Sequence, residues 1–373
     1  MQQVRAGIVA TLGIGLLSTG IVGAASVSRV ADLDCYTYPF VGQRSNASEP
    51  VFAFYNDPAF VGSFDNRDGQ LQFAFDTAFA GIPTGLDASD YEVFSVTLTL
   101  TCASTVGSPA WDPTLDDVST YPIVGQPAVN PDLDPGRPLT LFAAAFRNGY
   151  TGFDVSGVFN PGTPLFGDAG EGYGPGSFGQ NIRHVYPTDL IDDNGSPRDV
   201  STNLDEPDFG TADYAPFNPE PLAIGQTTDV AAGAVFGTDD VFTFEIDLSE
   251  PRFRDYVIEG LQRGDLGFVL ATLQLAAGAP GGGSGGDYPF FFLSENGASQ
   301  PTLHIEYAIS LDVCSGDIDG DGTTSLTDFS TLAANFGLQG VADRFDGDLT
   351  GDNDVSLGDF TQLANDFGCV FGQ

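Results

Sequence analysis

The chain has 373 residues and a formal net charge of −39 at pH 7, with 51 acidic residues against 12 basic ones. All 12 basic residues are arginines, which excludes Schiff-base chemistry on a lysine, and so acidic a surface repels the phosphates of nucleic acid. The length allows two or three domains with buried cores. The acidity by itself indicates a solvated, salt-tolerant surface rather than a binding site.

The first 25 residues have the pattern of an export signal. Arg5 precedes an apolar run over residues 8–22, and small residues follow it. This run is too short to span a bilayer comfortably, so we expect a signal peptide (1–25) that is cleaved after Ala24 or Ala25. The alternative is an uncleaved N-terminal anchor. The pattern predicts a secreted protein, extracellular or at the cell surface, with no membrane span after cleavage.

The four cysteines fit an oxidising compartment. Cys314 and Cys369 bracket the C-terminal repeats described below, so we expect a disulfide between them. Cys35 and Cys102 would then pair within the N-terminal region. Four cysteines permit three connectivities, and this one is preferred because each bond stays within one domain. It leaves no thiol for catalysis.

Residues 26–311 are predicted to form a β domain. Short alternating runs separated by Gly, Pro and Asp predict a β-sandwich or jelly roll. The run Leu71–Asp76 is expected to be a half-buried strand, and Glu250–Arg263 a short surface helix. The other predicted strands are Glu92–Cys102, Leu139–Phe146, Asp240–Leu248, Leu266–Leu275, Phe290–Leu293 and Thr302–Tyr307.

Two long stretches between these strands, about 103–138 and 160–235, are predicted to be irregular, with 160–235 as an insertion. Loops of that length are uncommon in a compact domain unless they are functional or disordered. Their motifs NPDLDPG and LIDDNGSPRD are dense in turn-forming residues, and an additional calcium site is the alternative explanation. The glycine-rich run Ala279–Pro289 has no lysine and no following helix, so it indicates a hairpin tip rather than a phosphate-binding loop.

The β region resembles the DNRLRE-type carbohydrate-binding domains, a jelly-roll family of secreted bacterial proteins. Two pieces carry the resemblance, FDNRDGQLQFAFD…GIPTGLDASDYEVFSVTLTL and GASQPTLHIEY. The first is similar to the family's early strand, Ile-Pro turn and alternating strand, and the second to its closing strand. The resemblance implies a jelly-roll fold and a polysaccharide ligand.

The C-terminal region, residues 312–373, contains two copies of one unit, offset by 31 residues. The copies read DIDGDGTTSLTDFSTLAANFG and DLTGDNDVSLGDFTQLANDFG. Oxygen-bearing residues recur at positions 1, 3, 5, 7, 9 and 12, the spacing of loops that gather six to eight hard oxygen ligands around Ca²⁺. The candidate ligands are Asp317, Asp319, Asp321, Thr323, Ser325 and Asp328 in the first loop and Asp348, Thr350, Asp352, Asp354, Ser356 and Asp359 in the second.

Each loop is expected to bind one Ca²⁺, the second more weakly than the first. In the second loop Thr350 stands where an acidic or amide ligand is usual, and Asn353 replaces the turn glycine Gly322. Asparagine tolerates a left-handed backbone at modest cost, so the turn should survive. For either loop the alternative is an acidic turn that binds no metal.

A helix is predicted after each loop, over Asp328–Phe336 and Asp359–Phe367. The spacing of the apolar residues along these helices predicts that they face a shared core. The side chains expected to be buried are Phe329, Leu332, Phe336, Phe360, Leu363 and Phe367.

Aspartate at position 12, with only one helix after each loop, distinguishes the pair from EF-hands. The pair resembles a type I dockerin domain, which implies a small α-helical unit with two Ca²⁺ ions and a cohesin-like or cell-surface protein as partner. In dockerins, positions 10 and 11 of each loop help to select the partner, and here they are Leu326, Thr327, Leu357 and Gly358. The common clostridial pattern has hydroxylated residues there, so Leu326 and Leu357 are expected to pack internally.

Catalytic motifs are not evident in the sequence, which has neither an HExxH motif nor a serine triad with its glycine signature. Glycoside hydrolysis needs two carboxylates at a fixed separation, and 51 acidic residues offer too many pairs to rank. Glu92, Glu245 and Glu306 lie in predicted strands, where a solvent-facing position explains them. The only histidines are His184 and His304, and His304 alternates with Thr302 and Glu306, which predicts a position on the outer face of a sheet. Packing in the core or in loops is the usual explanation for the loop aromatics: Trp111, Tyr121, Tyr150, Tyr173, Tyr186 and Tyr214.

The sequence therefore predicts a multi-domain, mainly β protein that ends in a calcium-binding dockerin. Its predicted role is that of a secreted, non-catalytic surface, matrix or polysaccharide-binding component, held in place through the dockerin. The alternative is a dockerin-tethered enzyme that hydrolyses O-glycosyl bonds in polysaccharides.

Overall fold

The computed structural model describes residues 24–38, 41–44, 46–53, 67, 69–121, 130–146, 152, 185–193, 195–201, 217–276, 286–309 and 314–370. The chain divides into two compact units. The larger comprises residues 26–85 and 93–306, and the smaller contains residues 307–373, with 24–25 and 86–92 also assigned to it. Residues 1–23 of the predicted signal peptide lie outside the described part. No helix among the described residues is long and apolar enough to cross a membrane.

The larger unit is mostly β, as predicted. The strands of the described residues are β1 (Ala25–Val30), β2 (Leu33–Tyr38), β3 (Val41–Arg44), β4 (Ser48–Pro50), β5 (Gln70–Asp76), β6 (Tyr91–Val106), β7 (Leu139–Phe146), β8 (Val185–Asp193), β9 (Ser196–Asp199), β10 (Ala223–Ile224), β11 (Val241–Glu245), β12 (Asp265–Thr272), β13 (Tyr288–Phe292) and β14 (Thr302–Ile309). One helix, α1 (Pro251–Arg263), accompanies them.

These strands form two antiparallel sheets, as expected for a β-sandwich. Within the described residues, the first sheet has six strands in the order β1-β14-β6-β13-β4, with β11 also paired to β6. The second has eight, in the order β3-β2-β5-β12-β7-β8-β9, with β10 paired to β7. The long strand β6 pairs with β11 over Thr97–Thr101 and with β13 over Cys102–Val106, so both lie along one edge.

The core of the first sheet comes from the alternation along β6. Val96, Leu98 and Leu100 are buried, and the residues between them are more exposed, as the period of two in a strand requires. Phe242 on β11 lies edge-on to Phe291 on β13, with ring centroids 5.9 Å apart. Burying each such side chain contributes about 1.5–3 kcal/mol.

The central strands β5 and β12 of the second sheet are buried on both faces, which corrects the prediction of a half-buried strand at Leu71–Asp76. Residues 70–75 of β5 are all buried, and so is every residue of β12. The helix α1 packs on β12, where Tyr256 lies edge-on to Phe268. The Tyr256 hydroxyl accepts a hydrogen bond from the backbone amide of Ala144 on β7 at 3.1 Å. Alternation alone cannot reveal a second covering layer, which depends on distant residues.

The predicted surface helix is confirmed as α1. Pro251 occupies the first turn, and the Glu250 side chain accepts from the Arg252 amide at the N-terminus. Gly264 ends the helix with a φ of 98°, a left-handed conformation that glycine adopts at no steric cost. The apolar face is buried, and it includes Phe253, Val257 and Leu261.

The predicted irregular insertion at about 160–235 is wrong in part, because residues 185–199 contain two strands, whereas residues 217–235 are irregular apart from the short strand β10. The motif LIDDNGSPRD belongs to a hairpin of β8 and β9, with Asp193 opposite Ser196. Across this hairpin the buried carboxylate of Asp189 pairs with Arg198. The Asp and Pro residues that indicated a loop are tolerated because β9 lies at the edge of the sheet. The strands β1 to β4 and β10 were also not predicted.

The predicted Cys35–Cys102 disulfide is wrong, because both thiols are free and buried. Cys35 lies on β2 in the second sheet, where its thiol contacts the Gln72 side-chain oxygen at 3.7 Å. Cys102 lies on β6 in the first sheet, and its thiol donates to the Ser104 carbonyl at 3.4 Å. Pairing by elimination failed because sheet assignment, rather than chain order, determines which thiols meet.

The smaller unit contains two helices, α2 (Leu326–Asn335) and α3 (Leu357–Asp366), close to the predicted ranges. Its core is a cluster of buried apolar side chains drawn from both repeats: Ile318, Leu332, Ala342, Leu349, Val355 and Leu363. The predicted disulfide between Cys314 and Cys369 is confirmed, with the two Cα atoms 5.6 Å apart. It joins the two ends of the repeat pair.

Candidate metal centres

Three carboxylates converge in the first loop. One oxygen from each of Asp317, Asp319 and Asp328 lies within 4.8 Å of the others. Asp328 is fully buried, and its Oδ1 accepts the Ile318 amide at 2.7 Å. The loop thus brings its first, third and twelfth positions together, as the calcium-loop spacing predicts.

A tight backbone coil produces this convergence. The two carboxylate oxygens of Asp317 accept the amides of Gly320 at 2.8 Å and Gly322 at 2.9 Å. Both glycines have positive φ, 78° and 85°, so the chain can turn around the Asp317 side chain. Asp321 is not in the convergent group, because its Oδ1 accepts from the amide and hydroxyl of Thr323.

The second loop repeats the coil. One oxygen from each of Asp348, Asp352 and Asp359 lies within 4.8 Å of the others. Asp348 accepts the amides of Gly351 at 2.7 Å and Asn353 at 2.8 Å. Asn353 has a φ of 66°, so the expected left-handed turn forms without glycine.

Two side chains of the second loop form hydrogen bonds with other groups of the protein and do not simply face the centre of the loop. The Thr350 hydroxyl donates to Asp359 Oδ1 at 2.9 Å, and it adds no charge at position 3. The Asp354 carboxylate accepts the Gly340 amide at 2.6 Å and is not in the convergent group. At position 7 of calcium loops the usual ligand is the backbone carbonyl. The hydrogen bond to the Asp354 side chain therefore leaves the Asp354 carbonyl available to a cation.

The residues at positions 9 and 12 also begin the helices. Ser325 Oγ accepts the Thr327 amide at 3.1 Å, and Asp328 Oδ2 accepts the Ser325 amide at 2.7 Å. This reciprocal capping box recurs with Ser356 and Asp359 at the start of α3. Each terminal aspartate therefore joins loop and helix whether or not a metal is bound.

Backbone hydrogen bonds cross between the repeats. The Thr324 amide of the first loop donates to the Cys369 carbonyl, beyond α3, at 3.0 Å. The Val355 amide, its equivalent in the second loop, donates to the Leu338 carbonyl, beyond α2, at 2.9 Å. Leu338 and Cys369 are themselves equivalent, so each loop is held by the end of the other repeat, in a pseudo-twofold arrangement.

The predicted burial of the helix aromatics is wrong in part. Leu332 and Leu363 are 1% exposed, as expected, but Phe329 is 37% exposed and Phe336 is 55% exposed, as are their repeat mates Phe360 (38%) and Phe367 (52%). Phe329 and Phe360 lie edge to face, with centroids 6.1 Å apart. Two ten-residue helices enclose too small a core for all six side chains.

Leu326 and Leu357 do not pack internally, which corrects that expectation too. They are 71% and 69% exposed in the first turns of α2 and α3, beside exposed Thr327 and Gly358. Since Asp328 and Asp359 must point into the loops, residues two positions earlier on each helix face away from them. The structure therefore presents all four predicted partner-binding residues to solvent.

The charges of the loops require compensation. Residues 314–370 contain eleven aspartates, no glutamate and one basic residue, Arg344. The Arg344 guanidinium donates to the backbone carbonyls of Cys314, Ser315 and Asp317 rather than to a carboxylate. Because like charges this close repel one another, a cation bound in either loop would offset this repulsion.

Hydrogen bonds keep the buried aspartates ionised. Burial opposes the charge of Asp328 and Asp359, but backbone amides aimed at each carboxylate outweigh it and hold the pKa of both below the usual value. The pKa of Asp319 is raised, with Asp321, Asp328 and Asp317 among the causes after desolvation. An all-oxygen, ionised donor set of this kind fits a hard divalent cation such as Ca²⁺.

One further group in this unit does not fit a metal. Oxygen or sulfur atoms of Cys314, Asp366 and Cys369 lie within 4.8 Å of one another. The two sulfurs form the disulfide, so neither is a thiolate ligand. Asp366 Oδ2 accepts from the Gly316 amide and the Thr324 hydroxyl, both at 2.6 Å, and these bonds account for its position.

The aromatic and histidine candidates of the larger unit are mostly structural. Trp111, Tyr121 and Tyr186 are buried, and the Trp111 indole donates to the Gly225 carbonyl at 2.9 Å. His304 lies on β14, with Nδ1 2.9 Å from the Ser28 hydroxyl. Tyr150, Tyr173, Tyr214 and His184 lie outside the described residues. Glu92, Glu245 and Glu306 are exposed on their strands, as expected.

A groove of about 810 Å³ lies on the larger unit beside β11 and the start of α1. Phe94, which is 48% exposed, forms part of its wall. Two of its carboxylates, Glu220 and Glu250, pair with Arg252. The side-chain hydrogen bond from Arg252 holds the pKa of Glu250 below its usual value, the opposite of what a general acid needs.

Comparison with known proteins adds no family assignment. No model of a protein family matches the chain, and a search of curated proteins finds no match. Any function must therefore be argued from these loops and surfaces.

Proposed function

We propose that the smaller unit is a tandem calcium-binding module that attaches a secreted β protein to a protein partner. The observation that carries the proposal is the convergence of three carboxylates in each loop, at the same positions of both repeats. A single acidic turn is common, but two turns with matching hydrogen bonds to Asp317 and Asp348 indicate one ligand chemistry.

The proposed ligands keep the assignments made from the sequence. In the first loop Asp317, Asp319, Asp321, Ser325 and Asp328 would offer side-chain oxygens, and Thr323 its carbonyl. In the second loop Asp348, Thr350, Asp352, Ser356 and Asp359 would do so, with Asp354 offering its carbonyl. Bound Ca²⁺ would neutralise the clustered carboxylates. The residues themselves order the coil, begin each helix and keep the carboxylates charged.

The role of calcium in this proposal is structural. A site with a dissociation constant near 10 µM, at roughly 1 mM extracellular calcium, adds about 2.7 kcal/mol of stability. That is a large share of what a unit of this size can hold. The second site lacks a charge at Thr350 and should contribute less.

Calorimetry and thermal unfolding of the full chain test the calcium proposal. We expect Ca²⁺ to raise the unfolding temperature of the smaller unit and Asp328→Asn with Asp359→Asn to abolish that rise. Asp343→Asn provides a matched control, because Asp343 caps a neighbouring short helix outside the convergent groups. Absence of any heat of binding or thermal shift in the unmodified chain would refute the proposal.

The proposed partner is a cohesin-like or cell-surface protein, as the resemblance to type I dockerins suggests. Support comes from Leu326 and Leu357, large apolar side chains held in solvent at equivalent places on α2 and α3. Leucine in place of the usual hydroxylated residues indicates a more apolar complementary surface than the clostridial one.

Capture from an extracellular protein fraction tests this partner. Binding should require Ca²⁺ and should be lost in the double variant Leu326→Asp, Leu357→Asp. Val341→Asp, which changes an equally exposed apolar residue outside both first turns, should leave capture intact. If the unmodified chain, the double variant and Val341→Asp capture the partner equally, Leu326 and Leu357 are not part of the binding surface.

For the larger unit we propose a jelly-roll arrangement and a non-catalytic, polysaccharide-binding role. The groove beside Phe94 supports it, since an exposed aromatic ring can stack on a sugar. The alternative function is glycoside hydrolysis by a dockerin-tethered enzyme, and the observation that supports it is the exposed Glu245 in the same groove. If the chain releases reducing sugar from a polysaccharide, and Glu245→Gln abolishes this release but Glu92→Gln does not, the catalytic function replaces the binding proposal. If the chain is retained on a polysaccharide column and Phe94→Ala loses this retention, the binding proposal is supported.

A further inference from the structure

A separate group of carboxylates lies in the larger unit, in the segment that follows β6. One oxygen from each of Asp112, Asp116 and Asp134 lies within 4.8 Å of the others. Asp112 and Asp116 are buried, and Asp134 is exposed. Asp134 comes from the motif NPDLDPG, so the group joins two parts of a long irregular stretch.

Asp112 holds an oxygen that the described residues leave unsatisfied. Its side chain is fully buried, and Oδ1 accepts both the amide and the hydroxyl of Thr114 at 2.8 Å. Its Oδ2 is buried and has no hydrogen-bond partner within the described part of the chain. Burying an unpaired carboxylate oxygen costs several kcal/mol, so such atoms in folded proteins are paired with a cation or a donor.

The nearby positive charge goes to other carboxylates. Arg137 Nη1 lies 2.7 Å from Asp116 Oδ2 and 2.5 Å from Asp132 Oδ2. Among the described residues, no ion pair is formed by Asp112 or Asp134. Arg137 therefore pairs with two of these four carboxylates, which leaves an excess of negative charge in a partly buried place.

Asp116 is better compensated than Asp112. Its Oδ2 accepts a hydrogen bond from the Tyr121 hydroxyl at 3.0 Å and pairs with Arg137. Asp112 Oδ2 is thus the buried oxygen of the group that a cation would pair.

We propose that Asp112, Asp116 and Asp134 form a third divalent-cation site, which binds calcium through oxygen ligands. The site goes beyond the two loops of the smaller unit and does not depend on them. All three donors are carboxylates, which suit a hard cation rather than zinc or copper. A bound ion would pair Asp112 Oδ2 and link residues 111–121 to 130–138.

Terbium luminescence can report on this site alone. Trp111, the only tryptophan of the chain, is adjacent to Asp112, whereas residues 314–370 contain neither tryptophan nor tyrosine. Tb³⁺ replaces Ca²⁺ at oxygen sites and emits when a nearby aromatic ring transfers energy to it. Exciting the tryptophan of the full chain should therefore give Tb³⁺ emission that added Ca²⁺ displaces.

Variants decide between this site and the loops. We expect Asp112→Asn and Asp134→Asn each to weaken the tryptophan-sensitised binding of Tb³⁺ at least tenfold, and Asp328→Asn with Asp359→Asn to leave it unchanged. Asp117→Asn, an exposed aspartate of the same segment outside the group, is the matched control. Asp134 is exposed, so its variant should fold even if Asp112→Asn does not.

The outcomes separate the two proposals. Calorimetry of the full chain should count three calcium ions, falling to two in Asp134→Asn. Emission that is absent, or that survives both Asp112→Asn and Asp134→Asn, would overturn the third site and leave the loops untouched. Loss of loop binding with retained tryptophan-sensitised emission would reject the tandem module and support this site.

Discussion

Asp328 and Asp359 occupy the same place in two loops that are 31 residues apart, and each is fully buried with its charge held by backbone amides. Asp328 Oδ1 accepts the Ile318 amide at 2.7 Å, and Asp359 Oδ1 accepts the Leu349 amide at 2.9 Å. Both amides belong to core residues. Each carboxylate thus connects its loop to the core of the unit. Binding of a cation in the loop, or substitution of a loop aspartate, should therefore change the stability of the whole unit.

The two loops should differ in affinity because of position 3. Thr350→Asp adds a carboxylate beside Asp348 and Asp359, so we expect roughly tenfold tighter calcium binding by the second loop. The same variant should be less stable than the unmodified chain without calcium, because the added charge is then uncompensated. Asp319→Thr should weaken the first loop by a similar factor. Calorimetric titration measures the calcium affinities of both variants. Equal affinities in the unmodified chain, Thr350→Asp and Asp319→Thr would contradict the assignment of position 3 as a calcium ligand.

Asn353 should store modest backbone strain at its φ of 66°. Asn353→Gly removes that strain and should leave the smaller unit as stable or more stable, by up to about 1 kcal/mol. Asn353→Ala keeps the Cβ and loses the polar side chain that favours this conformation, so it should destabilise by about 1 kcal/mol. Denaturant unfolding of the two variants gives the comparison. A destabilising glycine would show that the asparagine side chain has another role.

The four cysteines should behave as one disulfide and two buried thiols. Removing the Cys314–Cys369 bond by Cys→Ser changes should destabilise the smaller unit by about 4 kcal/mol on the loop-entropy model, since the bond closes a 55-residue separation. Cys35 and Cys102 should react with a thiol reagent only after denaturation, because both are buried. Mass spectrometry after alkylation distinguishes this from two disulfides.

Buried Asp34 should make the larger unit less stable as the pH rises. Burial, with the charge of Glu295, raises its pKa to about 7, against donors from Ser294 that lower it. The folded state therefore binds a proton between pH 4 and 7 that the unfolded state releases, and stability falls through that window. Asp34→Asn should remove this loss.

At pH 8 we expect Asp34→Asn to exceed the unmodified chain in stability by up to about 4 kcal/mol, and near pH 3.5 to match it. Denaturant unfolding at the two pH values measures the difference. Glu306→Gln, which changes an exposed strand carboxylate of the larger unit, is the control and should have little effect at either pH. A variant that is less stable at pH 8 would show that the Ser294 contacts outweigh the burial of the charge.

Features encoded within a few residues were predictable from the sequence. The two loops, their helices and the left-handed turn at Asn353 follow from spacing, because the groups involved lie within one repeat. The Cys314–Cys369 bond joins residues 55 apart, and it was predictable because the two cysteines bracket the repeat pair. The strong alternation of β6 also predicted that strand near its observed position. Hydrophobic periodicity and turn-forming residues act over a few neighbouring positions, so the structure that they predict is also found in the folded protein.

Features that depend on what packs against an element were decided only by the tertiary structure. Cys35 and Cys102 stay apart because their strands belong to different sheets, and β5 is buried on both faces because other layers cover it. Leu326 and Leu357 are exposed because Asp328 and Asp359, two positions later on each helix, point into the loops. The group at Asp112 and Asp134 forms because the chain returns after an irregular segment. The physical reason is that burial and proximity between distant residues are set by pairing across the fold, which no local pattern records.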